Sequence, residues 1–191
     1  MLFRSRSLDV EAYGYALFGH SMGAFVACEA GKILQNSFHL PPAVVFLSGQ
    51  VPPCTYDEKQ KNIMNRFGGD REFIMRLGGI PEIILENPDI VDYYTELTVS
   101  DFRLLDSYNP RQAEPAHRLR YGVLFYGRDD IIIDPGSFHL WDQEINTICA
   151  ENLYPGKHFY LSECSAEVSQ EVERWTGRVY DMLNKKGGMK R

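Results

Sequence analysis

Gly19-His20-Ser21-Met22-Gly23 is a G-x-S-x-G pentapeptide. An apolar run, Tyr15 to Phe18, precedes it, and a stretch of good helix formers, Ala24 to Leu34, follows it. That order predicts strand, sharp turn and helix, with Ser21 at the apex and its hydroxyl directed out of a sheet. A serine so placed can act as a nucleophile. Both flanking glycines are expected to be needed, because a side chain at either would collide with the strand or the helix. The helix N-terminus beneath Ser21 favours negative charge developing there. The backbone N–H of Met22 is then one oxyanion donor.

A serine hydroxyl is a weak nucleophile until a base takes its proton, and the base needs an orienting carboxylate. On a sheet of this kind the chain order is serine, acid, histidine. The apolar run Tyr121 to Tyr126 leads into Gly127-Arg128-Asp129-Asp130, an acidic pair just past a strand's carboxyl end, where open α/β sheets place their sites. Later comes Tyr154-Pro155-Gly156-Lys157-His158-Phe159, a Pro/Gly turn that can present an imidazole. The other four of the five histidines fit less well. His20 is held by the turn itself, and His20, His39 and His117 all precede the acidic pair. His139 follows it closely, in a helical stretch. His158 is therefore the expected general base. Asp129 and Asp130 both satisfy the order, and the residues alone leave them as alternatives.

These groups need a scaffold. Ala43 to Leu47 is apolar at every position and bounded by Pro41, Pro42 and Ser48-Gly49, as expected of a strand covered on both faces. Tyr121 to Tyr126 reads as a third strand and Thr147 to Leu153 as a short fourth. Ser137 to Ile145 reads as helical. From Ser165 to Leu183 the residues Val168, Val172, Trp175, Val179 and Leu183 recur at spacings of three and four, an amphipathic helix facing the sheet. The block from Tyr56 to Tyr108 has another texture. Phe73, Ile74, Leu77, then Ile83, Ile84, then Ile90, Tyr93, Tyr94 and Leu97 fall at helical spacing. Gly78-Gly79, Pro81 and Asn87-Pro88 punctuate it. Several short helices are expected there, a lid over the sheet edge. The fold class is α/β with a mostly parallel sheet and a helical lid at about 56–108, in a single domain over 1–191.

Composition narrows the setting. The chain has 191 residues, with 20 Lys and Arg against 26 Asp and Glu, a net charge of −6. An acidic balance argues against a nucleic-acid surface. No apolar run is long enough to span a membrane. Arg4 and Arg6 are followed by Asp9 and Glu11, not by the apolar core of a secretory leader. Arg4 to Ser7 has the look of a transit-peptide fragment. Cys28, Cys54, Cys149 and Cys164 are scattered, which reads as reduced, buried or half-buried thiols and a cytoplasmic protein. The chemistry needs no metal or redox cofactor.

Four segments together carry a family resemblance: ALFGHSMGA, REFIMRLGGIPEIILENPDI, YGRDD and YPGKHFYL. The chain resembles the type II thioesterases, the stand-alone editing enzymes of polyketide and nonribosomal peptide synthesis. It is similar too to the medium-chain thioesterase that acts on fatty acid synthase. The resemblance implies an α/β-hydrolase fold and a Ser21–Asp130–His158 triad, since the family's acid lies three positions after a glycine that matches Gly127. It implies hydrolysis of acyl thioesters held on the phosphopantetheine arm of an acyl or peptidyl carrier domain. It places an acyl chamber under the lid, with Ile74, Leu77, Ile83, Ile84 and Phe102 as lining; each also reads as an ordinary helix-packing residue. Arg66, Arg71 and Arg76 would offer a basic patch for docking, or a solvated helix face. Family members carry several tens of further residues before the serine, including the first strands and a Gly-rich loop with a second oxyanion donor. The expectation is a sheet lacking those strands. Two other readings stand beside this one: a general carboxylesterase with the same triad, and an inactive fragment that serves as a binding partner.

Overall fold

The computed structural model describes residues 14–56, 63–109 and 118–187. Four strands form its sheet: β1 Ala16–His20, β2 Val44–Ser48, β3 Leu119–Gly127 and β4 Ile145–Tyr154. They lie in the order β1-β2-β3-β4, and every neighbouring pair is parallel. All strands therefore present their carboxyl ends to the same edge. The register sets His20 beside Ser48, Ser48 beside Phe125 and Gly127 beside Tyr154.

β2 is buried at all five positions because both sheet faces are covered. Its side chains alternate between them. Val45 and Leu47 join Ala24, Ala27 and Cys28 of helix α1 (Met22–Ser37), together with Leu124, Tyr126 and Trp141. Val44 and Phe46 join Val123, Phe125, Val168 and Val179 on the other face, under helix α5 (Ser165–Gly187). Val172, Trp175 and Leu183 pack on that same cluster, so the five-residue stripe foreseen for the last helix does face the sheet. Lys32 is buried between Glu29, at 3.0 Å, and Glu144, at 2.5 Å, which ties α1 to the turn before β4.

Two boundaries differ from expectation. Residues Pro135–Gln143 form a 3₁₀ segment, opened by Asp134, whose side chain accepts from the Gly136 N–H. Ile145 already belongs to β4, paired in register with Leu119. Ladder pairing with β3 makes β4 ten residues long, where the local apolar pattern marked only its middle.

The insertion contains helices α2 Asp70–Leu77, α3 Glu82–Leu85 and α4 Pro88–Ser107. Gly78 and Gly79, both at positive φ, end α2. The Asn87 side chain caps α4 by accepting from the Asp89 and Ile90 N–H groups, and Pro88 occupies the first turn. α4 runs for twenty residues instead of breaking into short pieces. Val91, Thr95, Val99, Phe102 and Leu105 keep one buried stripe going without interruption. The insertion packs chiefly on itself, as Phe73, Ile74, Leu77 and Phe102 around Ile63.

No helix among the described residues is long and apolar enough to cross a membrane. All four cysteines are free; Cys28 and Cys164 are buried, Cys149 is half-buried, and Cys54 is exposed, against expectation.

Candidate active site

Ser21 sits where β1 passes into α1, with φ 55° and ψ −125°. Backbone in that region is strained for a residue with a Cβ, at a cost of about 1–3 kcal/mol. The strain is held by its surroundings. The Ser21 N–H donates to the Ser48 carbonyl at 2.8 Å, and the Ala24 N–H donates back to the Ser21 carbonyl at 2.9 Å. A Cβ on Gly19 would lie 1.9 Å from the Gly23 carbonyl oxygen, so β1 and the first turn of α1 touch through backbone there. At Gly23 a Cβ would meet nothing within 4 Å, so the steric demand expected of both glycines falls on Gly19 alone. Met22 opens α1, and its N–H has no carbonyl one turn back to bond.

The carboxyl ends of β3 and β4 bring the acid and the imidazole together. His158 Nδ1 donates to Asp130 Oδ2 at 2.8 Å, and the other oxygen, Oδ1, accepts from the Ile132 N–H at 3.0 Å. Both residues are buried, His158 at 1% exposure and Asp130 at 7%. The bond fixes the tautomer that leaves Nε2 as the free nitrogen. Asp129 is exposed, and its N–H donates to the Gly156 carbonyl. Geometry thus separates the two aspartates that the chain order left open. Gly127 permits the approach: a Cβ there would lie 2.2 Å from the Lys157 carbonyl oxygen.

A second imidazole beside His158 was not foreseen. The ring of His20 lies 4.9 Å from that of His158, centroid to centroid. His20 Nδ1 is 2.8 Å from Ser48 Oγ, which is 2.6 Å from the Tyr160 hydroxyl. Burial, and then the neighbouring His158, hold the His20 pKa down at about 4, with the Asp130 carboxylate opposing. Burial likewise raises the pKa of the Tyr160 hydroxyl. The only local signal for Ser48 and Gly49 was their place at the end of an apolar run, and for Tyr160 its place two residues after His158.

The insertion reaches this site at one turn. A Cβ on Gly79 would lie 2.6 Å from Phe159 Cβ, and one on Gly78 would lie 3.0 Å from the Lys157 side chain. Of the expected chamber residues, Ile74, Leu77 and Phe102 are buried in one cluster, which also takes in Ile131 and Phe159, the neighbours of the Asp130–His158 pair. Ile83 is 77% exposed and Ile84 half-buried, both on α3. A separate apolar groove of about 490 Å³ runs between α1 and α4, lined by Met22, Phe25, Val26, Ile33, Leu104 and Leu105 among others. Of the three arginines expected to form a patch, Arg71 pairs with Asp92 and Arg76 with Glu72. The Arg66 side chain and His117 lie outside the described residues. His39 and His139 are exposed, and no group of three acidic, histidine or cysteine side chains that could hold a metal occurs among the described residues.

A family model for the thioesterase domain matches residues 9–176. The chain is 27% identical over 157 residues to the gramicidin S biosynthesis protein GrsT of Aneurinibacillus migulanus, covering 81% of this chain and 59% of that protein. It is 23% identical to the medium-chain S-acyl fatty acid synthase thioesterase of Rattus norvegicus, covering 80% of this chain and 57% of that one. The chain thus spans just under three fifths of these curated relatives. Among solved structures, ClbQ from the colibactin NRPS/PKS pathway superposes with a TM-score of 0.70 at 25% identity, covering 88% of this chain and 70% of that one.

Proposed function

The chain belongs to the thioesterase domain family, and from that premise we propose that it hydrolyses acyl thioesters carried on the phosphopantetheine arm of a carrier domain. Ser21 is the nucleophile, His158 the base and Asp130 the residue that orients it. One observation carries the reading: a strained serine at a strand–helix turn shares a sheet edge with a buried aspartate–histidine pair.

His158 Nε2 takes the proton from Ser21 Oγ as the oxygen attacks the thioester carbonyl carbon. The oxyanion of the tetrahedral adduct rests on the Met22 N–H. The carbon–sulfur bond breaks, and the thiol leaves with the proton from His158. Water then attacks the acyl-serine, giving its proton to the same nitrogen, and Ser21 Oγ leaves with that proton. Asp130 accepts from Nδ1 throughout and stabilises the imidazolium formed in each half. The acyl chain lies against the lid, where Ile74, Leu77 and Phe102 back Phe159, with Ile83 and Ile84 at the rim. The similarity to an S-acyl fatty acid synthase thioesterase and to a protein of an NRPS/PKS pathway supports this class. Four free thiols fit a reducing, cytoplasmic setting.

The test is thiol release from an acyl-pantetheine by the purified protein, beside Ser21→Ala and beside the oxygen-ester analogue. Loss of the serine should reduce turnover by about 10⁴–10⁶-fold with the fold retained. Turnover that survives Ser21→Ala would remove the nucleophile assignment. An equal rate on the oxygen ester would favour a general carboxylesterase.

A further inference from the structure

His20 does more than fill the turn. Its ring is wedged among His158, Phe159 and Tyr160, with centroids at 4.9, 6.1 and 6.0 Å. One ring nitrogen is anchored to Ser48 and, through it, to Tyr160. The other, Nε2, is buried without a hydrogen-bond partner among the described residues. A half-buried imidazole whose buried nitrogen is idle is costly, and such groups call for a reason. Gly49 shows how tightly the place is built. With φ 59°, it leaves room for both imidazoles: a Cβ there would lie 2.7 Å from His20 Cε1 and 3.4 Å from His158 Cε1.

We propose that His20 is a positioning residue: its ring, anchored by Ser48 and Tyr160, packs on His158 and holds that imidazole in the one rotation that serves both Asp130 and Ser21. The inference rests on the assignment of His158 as base. Asp130 grips His158 through a single nitrogen, which does not by itself fix the ring's side-chain torsions. A neighbouring ring 4.9 Å away, tilted by 36°, limits them. Rigid strand ends supply the neighbour, since His20 closes β1 and Ser48 closes β2, paired in register. The groups facing His20 are His158, Asp130 and Tyr160, with Phe159 and the Ser48 hydroxyl. Desolvation, ahead of every charge among them, keeps His20 neutral at pH 7. A neutral ring can lie against the imidazolium that His158 becomes without adding a second positive charge.

The experiment compares His20→Ala, His20→Asn, Ser48→Ala and Tyr160→Phe in the intact chain. His20→Ala should lower kcat by about 10- to 100-fold, the penalty of a loosened reacting geometry, with KM for the acyl-pantetheine unchanged within twofold. His20→Asn keeps a group where Nδ1 bonds Ser48 and should recover part of the loss. Ser48→Ala and Tyr160→Phe keep the ring and cut its anchor, and should lose less than His20→Ala. The second readout is the NMR signal of the His158 Nδ1 proton shared with Asp130. It should be sharp in the wild type and broadened in His20→Ala at unchanged circular dichroism. An unchanged kcat with an unchanged proton signal in His20→Ala overturns the proposal, as does a defect confined to KM. If His20→Ala does not fold, Ser48→Ala and Tyr160→Phe decide by the same two readouts. If the wild type releases no thiol from any substrate, the functional reading fails, and the proton signal still tests whether His20 holds His158.

Discussion

At the carboxyl edge of the sheet, polar side chains are buried: Ser48 at 0% exposure, His158 at 1% and Asp130 at 7%. In the insertion above it, apolar side chains are exposed: Ile83 at 77%, Tyr93 at 63%, Leu104 at 60%. The two regions invert the usual arrangement in opposite senses. Ser48, His158 and Asp130 are each buried with a hydrogen-bond partner, so the edge is built by close pairing. An exposed apolar group costs little and prescribes no neighbour, so the insertion can vary. The difference teaches where each region's information resides. The edge is specified by pairwise geometry across distant segments. The lid is specified by a stripe on each helix and by the turns between them.

The largest test of this contrast is at the acidic pair. Asp130→Asn should reduce turnover by roughly 10⁴-fold, because an amide that donates to Nδ1 forces the wrong tautomer on the base. Asp129→Asn, one position away but exposed, should leave turnover within about twofold. Steady-state rates of the two variants on one acyl thioester check both. Comparable losses would mean that the edge is not built pair by pair.

The same contrast decides what could be read from residues alone. Ser21, the pair Asp129 and Asp130, and His158 stood out because acyl transfer demands their types, and the fold class demands their order; between the two aspartates only the family resemblance chose. β2 and β3 were legible because a buried parallel strand leaves a nearly unbroken apolar run, whereas β4, exposed along much of its length, showed only its middle. The pair Ser48–Tyr160 was not legible, since 112 positions separate two common residues and no local pattern links them. Nor was the fate of the lid's apolar residues. Leu77 and Ile83 have the same character and similar spacing, yet one is buried at 1% and the other is 77% exposed. Which of them finds a partner depends on how a four-residue helix is set between two longer ones. Gly78-Gly79 was legible as a break, but not as the place where the lid rests on the His158 turn.

That place gives the next test, because it is where the regions stop being separate. Gly79→Ala adds a Cβ 2.6 Å from Phe159 Cβ, at a backbone φ of 78° that alanine disfavours. Strain and overpacking together should cost about 2–4 kcal/mol. The loss should fall on both regions: a lower midpoint of thermal unfolding, and a lower kcat because Phe159 adjoins His158. Gly68→Ala, also at positive φ but with only the Glu72 side chain at 3.9 Å, should cost about 1 kcal/mol and leave kcat unchanged. Equal effects of the two on kcat would mean that the lid is a mechanically independent cap.

The smallest expected effect is on stability in acid, and it belongs to the edge alone. His20 has a pKa of about 4 in the folded protein, set first by burial and next by the neighbouring His158. In the unfolded chain it returns to the ordinary value near 6.5. Between those values the unfolded state binds the extra proton. Stability therefore falls as pH drops from about 6.5 toward 4 and levels off below. Each pKa unit corresponds to about 1.4 kcal/mol, and the ring's partial exposure trims the total, so the loss is on the order of 2–3 kcal/mol. The wild type and His20→Asn, unfolded by urea at steps from pH 7 to pH 4, isolate this contribution. Carboxylates titrate in both proteins, whereas only the wild type has an imidazole to charge at position 20. The gap between the two stability curves should therefore shift steadily against the wild type as the pH falls. A gap that stays constant would mean that His20 is charged as readily in the fold as out of it. The packed, neutral ring against His158 would then be the wrong picture of this edge.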